Sequence, residues 1–211
     1  MKRLFLVVFI ICTVFYGDAW ARPAFGIKGG LNLANANQDP SEGFSQKIRP
    51  GFMFGGSVEF SLSSTNKTTL RLEGLYVQKG WKESGDLVNY EATYSLDELV
   101  LAPFLILRFP SRGITPFIQV GPEYSVNLSA RGKMEINGRS WTADIRDWSS
   151  TNFSLNFGAG FAIPSGKGEV VIDTRYNIGL VDLFKDEDWS IKTNGIQLCV
   201  GYNFSVPTKG K

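Results

Sequence analysis

At 211 residues, with 23 glycines, 13% aromatic and 20% charged side chains, the chain is long enough for one all-β domain and has no disorder signature. Its 22 Lys and Arg against 20 Asp and Glu leave a formal charge of +2, which supplies no basic footprint for nucleic acid. Histidine is absent, which removes Ser-His, Asp-His and His-metal arrangements. No catalytic residue, cofactor or metal site is expected.

The first 21 residues read as an export signal. Lys2 and Arg3 precede the apolar run Leu4 to Tyr16, and Ala19, Trp20 and Ala21 form an Ala-x-Ala site with cleavage before Arg22. The run falls short of the roughly 20 residues that a spanning helix needs. Residues 22–211 then form the domain, and Cys199 is its lone cysteine, expected to act as a small filler side chain.

A first strand sets Phe25, Ile27, Leu31 and Leu33 against Lys28, Gly30 and Asn32, and the polar stretch Ala34 to Pro50 reads as a long loop. The second strand alternates Phe52, Phe54, Val58 and Phe60 with Ser57 and Glu59. After the short turn Ser63 to Thr68, the third places Leu70, Leu72 and Tyr76 opposite Arg71 and Glu73, a pattern that Leu75 and Val77 blur. Trp81 to Thr93 reads as another long loop. The fourth strand, Tyr94 to Phe109, is nearly continuously apolar, so periodicity leaves its facing open.

A short turn leads to the fifth strand, which alternates Ile118, Val120, Tyr124 and Val126 with Phe117, Gln119, Glu123 and Ser125. Pro103, Pro116 and Pro122 lack a ladder donor and predict bulges or strand ends. Within the longest insertion, Ser129 to Ser150, Asn137 and Gly138 between alternating flanks predict a type I′ hairpin and hence a ribbon. The sixth strand sets Phe153, Leu155, Phe157 and Phe161 against Asn152, Ser154 and Asn156. The last two strands put Ile172, Tyr176, Leu198 and Tyr202 on one face and Asp173, Arg175, Gln197 and Asn203 on the other, joined by the acidic loop Val181 to Asn194.

Eight strands emerge, joined by connections that alternate long and short. That rhythm predicts an all-β, eight-stranded antiparallel up-and-down transmembrane β-barrel in a bacterial outer membrane, with its apolar faces toward lipid and its polar faces inward. The runner-up is a soluble lipocalin-like barrel that binds an apolar ligand.

Five segments carry a resemblance: GIKGGLNLA at 26–34, LEGLYVQKG at 72–80, PFIQVGPEYSVNLS at 116–129, DTRYNIGLVDL at 173–183 and IQLCVGYNF at 196–204. In order and spacing the chain resembles the PorT-like outer-membrane barrels found mainly in Bacteroidetes. The resemblance implies an eight-stranded barrel and little chemistry. The named member is associated with protein secretion across the outer membrane, a role that does not carry over with the likeness. Phe204 resembles the terminal aromatic by which such barrels are recognised for insertion, although Ser205 to Lys211 follow it.

The inward faces bring Lys28, Glu59, Arg71, Glu73, Glu123, Asp173 and Arg175 into a lumen that eight strands leave just wide enough for side chains. A salt-bridge network joining Glu59, Arg71, Glu73 and Arg175 is expected there rather than a catalytic carboxylate pair. Trp81 and Trp189 are expected in an outer aromatic girdle, while Trp141 and Trp148, deeper in the longest loop, are candidate contacts for a protein partner. The acidic runs Glu83 to Glu91 and Asp182 to Asp188 read as solvated surface. The expected partners are outer-membrane lipid and a protein at the outward loops, with no nucleic acid. The competing function is a narrow pore or a transport accessory.

Overall fold

The computed structural model describes residues 23–39, 45–63, 65–85, 90–109, 111–136, 138–145, 149–183 and 190–204. The expected signal 1–21 and the tail 205–211 lie outside the described residues. Among the described residues nine strands form, in chain order: β1 Ala24–Asp39, β2 Ser45–Ser61, β3 Thr68–Gly85, β4 Tyr90–Arg108, β5 Thr115–Ile136, β6 Arg139–Asp144, β7 Thr151–Ser165, β8 Gly168–Gly179 and β9 Ser190–Phe204. All neighbours are antiparallel. Because β1 pairs with both β2 and β9, and β4 with β5, eight strands close on themselves, and β6 stands outside the ring as the hairpin partner of β5.

Alternation decides which side chains face where. Ile27, Leu31, Phe54, Leu101, Ile118, Phe157, Ile172 and Val200 are all exposed on the outside, whereas Lys28, Glu73, Glu123, Asp173, Arg175 and Gln197 are buried inside. A belt of large apolar side chains this extensive is not tolerated in water, and a closed ladder leaves no open sheet edge in hydrocarbon. Charge inside and apolar outside is the reverse of a soluble lipocalin-like barrel, so that alternative fails. Toward the ends joined by the short connections, Phe25, Phe109, Phe161 and Phe204 are exposed outward, an aromatic rim at the membrane boundary.

The fourth predicted strand resolves into two apolar faces. Leu99, Leu101, Leu105 and Leu107 point outward, while Val100, Ala102, Phe104 and Ile106 pack inward against Met53, Leu75, Val77 and Phe117. One wall of the lumen is therefore apolar, which is why β4 reads as an unbroken run and why Leu75 and Val77 blur β3.

Two expectations are corrected. The stretches 34–39, 45–50, 81–85, 90–93 and 190–194, expected in loops, are strand. Their Asn, Lys, Glu and Gly content resembles turn composition, but a neighbouring strand is enough to continue the ladder, and the walls rise above the belt because a crossing needs only about 9–11 residues. Pro103 and Pro122 mark neither a bulge nor a strand end: the β4–β5 register runs from Leu101↔Tyr124 to Leu105↔Val120 and places them opposite each other at mid-strand, so two residues without N–H groups share one gap in the ladder. The bulges occur instead between Ile48 and Met53 and between Asp97 and Glu98.

At that gap the walls approach closely, and a Cβ on Gly121 would collide with the carbonyl oxygen of Pro103. Gly121→Ala should therefore impair barrel assembly. The measurement is the fraction of compact, heat-modifiable species on a gel after refolding into detergent, expected to drop several-fold against wild type.

Candidate functional site

The turn-proximal half of the lumen is filled by one ionic network. Glu73, with 0% side-chain exposure, accepts from Lys28 Nζ at 2.6 Å and from Arg175 Nη1 at 2.8 Å, and Arg71 Nη1 stands 3.7 Å away. Lys28 also pairs with Asp173 at 2.8 Å, and Arg71 with Glu59 at 3.0 Å. Arg108 binds Glu59 at 2.5 Å and Glu169 at 2.7 Å and so extends the network toward the short turns. The guanidinium of Arg175 lies 4.8 Å from the Phe104 ring centroid, and that of Arg71 lies 5.6 Å from Phe117, so the apolar wall also contacts the cations. Cys199, buried, accepts from Arg175 Nη2 at 3.4 Å and faces Met53 Sδ at 3.7 Å.

Glu123 belongs to a second layer. Its Oε1 accepts from Lys79 Nζ at 2.6 Å, and Lys79 lies 2.9 Å from Glu98 Oε2. Asn156 donates to Glu123 Oε2 at 3.0 Å and accepts from Asn177 at 3.0 Å. Among the buried inward side chains, Asn152 Oδ1, Ser154 Oγ, Glu98 Oε1 and both polar atoms of Gln197 have no protein partner. Buried polar atoms of this kind are satisfied by internal water.

The structure thus places all seven predicted lumen residues inside: six of them, Lys28, Glu59, Arg71, Glu73, Asp173 and Arg175, in the first layer and Glu123 in the second. The pattern missed Lys79, Glu98, Arg108 and Glu169. Parity was the available signal, since each falls in step with a buried neighbour: Lys79 with Val77, Glu98 with Val100, Arg108 with Ile106 and Glu169 with Val171.

An apolar cluster caps the opposite mouth. Trp81 is 1% exposed and stacks on Tyr94 with centroids 4.7 Å apart, packed with Ala36, Leu96 and Leu183. Its place in an outer girdle is therefore corrected: residue 81 shares the parity of Val77 and Lys79, so the indole enters the barrel. Trp81 Nε1 donates to Glu83 Oε1 at 2.7 Å, which makes Glu83 part of the cap rather than a solvated acidic loop. Burial, reinforced by the Glu83 charge, raises the Tyr94 phenol above its ordinary pKa. Leu183 is held by its own N–H to Ile191 O and by Ser149 N–H to its carbonyl, both at 2.9 Å.

Above the cap, β4, β5 and β6 continue as a three-stranded sheet. The turn at 137–138 joins Ile136 to Arg139 with Gly138 at φ 78°, the left-handed conformation a two-residue hairpin requires. Trp141, 54% exposed, pairs across the ladder with Met134, which in turn pairs with buried Ala92. Trp148, Trp189 and the parts 86–89 and 184–188 of the two acidic runs lie outside the described residues. Among the described residues, no group of three His, Cys, Asp or Glu side chains is arranged to hold a metal ion.

Comparison with known proteins agrees with this geometry. OprG of Pseudomonas aeruginosa superimposes with a TM-score of 0.52 at 11% identity, covering 87% of this chain and 97% of that one. Neisserial surface protein A gives 0.47 at 14% identity, covering 88% and 100%, and Ail of Yersinia pestis gives 0.42 at 16%, covering 87% and 100%. No curated protein sequence matches the chain. The family model described as Outer membrane protein beta-barrel domain matches residues 19–185. A closed barrel with an ionic lumen and an apolar belt, matched by that model over most of its length, belongs to the outer membrane protein beta-barrel domain family.

Proposed function

We propose that this outer-membrane barrel is a non-enzymatic binding protein whose protein partner docks on the β4–β5–β6 sheet. The observation that carries the reading is the Trp141–Met134 pair, exposed on an edge hairpin above a lumen occupied by side chains. Large aromatic and Met side chains are favoured contacts at protein interfaces, and an edge strand offers unpaired backbone groups to an extended segment. The segments quoted above support a finer membership among PorT-like barrels of the Bacteroidetes type. A narrow pore or secretion accessory is the competing function.

Conductance separates the two. Protein reconstituted in a planar bilayer should give no stable conductance steps, because the lumen is blocked by the Glu73 network and again by the Trp81 cap. Steps in most insertions would favour the pore. A photo-cross-linking residue at Trp141 on intact cells should give one adduct of defined mass, whereas the same probe at Lys133, on the opposite face of the ribbon, should give none.

A further inference from the structure

The outward wall of β2 and β3 carries a cross-strand pair that a sheet does not favour. Lys47 and Lys82 lie directly opposite each other, where like charges destabilise, and among the described residues neither has an ion-pair partner. Lys82 has the outward parity of Tyr76 and Gln78, opposite to buried Val77, Lys79, Trp81 and Glu83. Lys47 reaches the same face through the bulge between Ile48 and Met53. Without that extra residue, Lys47 would share the parity of buried Met53 and point into the lumen.

Arg49, inside the bulge, adds a third cation. Its Nη1 donates to the Lys79 carbonyl at 2.8 Å, its Cδ lies beside Gly80, and its charged neighbour is Asp97 on β4. Gly80 and Lys82 are two residues apart, so the three cations span about 7 Å of wall. Nearer the membrane on the same two strands, Phe52, Phe54 and Tyr76 form an outward aromatic patch with ring centroids 5.3–6.1 Å apart.

We propose that Lys47, Arg49 and Lys82 bind the phosphorylated headgroup of an outer-leaflet lipid whose acyl chains lie along Phe52, Phe54 and Tyr76. Phosphate between the two ammonium groups converts a repulsive cross-strand pair into a bridged one, and the guanidinium offers a planar donor set suited to phosphate oxygens. Lysines at this level reach the headgroup layer while their stems stay against the wall. The aromatic patch beneath the cations selects a lipid over a free anion. Asp97 is the charged neighbour of Arg49, and no ion pair joins either lysine to a carboxylate among the described residues.

The test uses mature protein refolded in a zwitterionic detergent and supplied with diphosphorylated lipid A, its dephosphorylated form, or inorganic phosphate. Lipid A should remain bound in native mass spectra and raise the unfolding midpoint, and the other two should do neither. The variant K47Q/K82Q should bind lipid A about tenfold more weakly, as expected when charge-assisted contacts are lost. It should also unfold at a higher midpoint than wild type without lipid and at a lower one with it, an inversion that a purely structural role does not produce. K133Q on the ribbon should match wild type. Equal retention of lipid A by K47Q/K82Q, or equal binding of the dephosphorylated form, overturns the proposal. Stabilisation by inorganic phosphate alone overturns the lipid assignment.

Discussion

Glu73→Ala should destabilise the barrel by about 3–5 kcal/mol, the usual cost of removing one partner from a buried ionic contact. The carboxylate is the hub of its layer: Lys28, Arg175 and Arg71 lie at 2.6, 2.8 and 3.7 Å, and each of these side chains is nearly inaccessible to solvent. Around it, Lys28, Arg71, Arg108 and Arg175 balance Glu59, Glu73, Glu169 and Asp173, four charges against four. Without Glu73 one buried cation has no counter-charge. Lys28 retains Asp173, and Arg71 retains Glu59, but Arg175 keeps only Asp173, at 3.8 Å. The single variant Arg175→Leu should also destabilise the barrel. The double variant Glu73→Leu/Arg175→Leu removes one charge of each sign and should recover a large part of the loss, because replacing a whole buried pair is far cheaper than halving it. Urea unfolding midpoints in detergent micelles, read by tryptophan fluorescence, check all three, and an unchanged midpoint in Glu73→Ala would sink the hub assignment.

How much of this was legible depended on whether a strand has two unlike faces. β7, β8 and β9 separate apolar from polar at most steps, so their facing could be read from the residues alone: Ile172 and Tyr176 outward, Asp173 and Arg175 inward. β4 has apolar side chains on both faces because Val100, Phe104 and Ile106 build an apolar wall inside the lumen, and no periodicity survives that. The walls above the belt read as loops for a related reason. Once a strand leaves the hydrocarbon, its outward positions no longer need to be apolar, and Asn35, Lys82 and Glu91 look like turn residues while continuing the ladder. Trp81 reads as a girdle residue from its nearness to the expected loop, whereas parity places it inside: Leu75, Val77 and Lys79 form an inward series that leads to it. The bulge that turns Lys47 outward leaves no mark in composition and required the paired strand to be seen.

Trp81→Ala tests whether the mouth and the lumen close the barrel independently. Truncation removes the ring stacked on Tyr94 and its packing against Ala36, Leu96 and Leu183, a loss of about 3–5 kcal/mol where the surroundings do not collapse into the space. It also takes from Glu83, itself buried, the donor at 2.7 Å, which adds the penalty of a poorly satisfied carboxylate. Trp81→Phe keeps an aromatic ring in the cluster but loses that donor and part of the indole's volume, so it should cost less than the alanine variant, about 1–3 kcal/mol. In the alanine variant Leu183 loses its seat, and the amides of Leu183 and Ser149, whose hydrogen bonds fasten that segment, should exchange with solvent faster than in wild type. Conductance should nevertheless stay absent, because the Glu73 layer lies on the far side of the second ionic layer and does not touch the cap. Stable steps in Trp81→Ala, with none in wild type, would mean that the cap alone closes the barrel and would move the balance toward a gated pore. Silence in both, with faster exchange confined to the mouth, assigns the block to the ionic plug and leaves the extracellular sheet to carry the function.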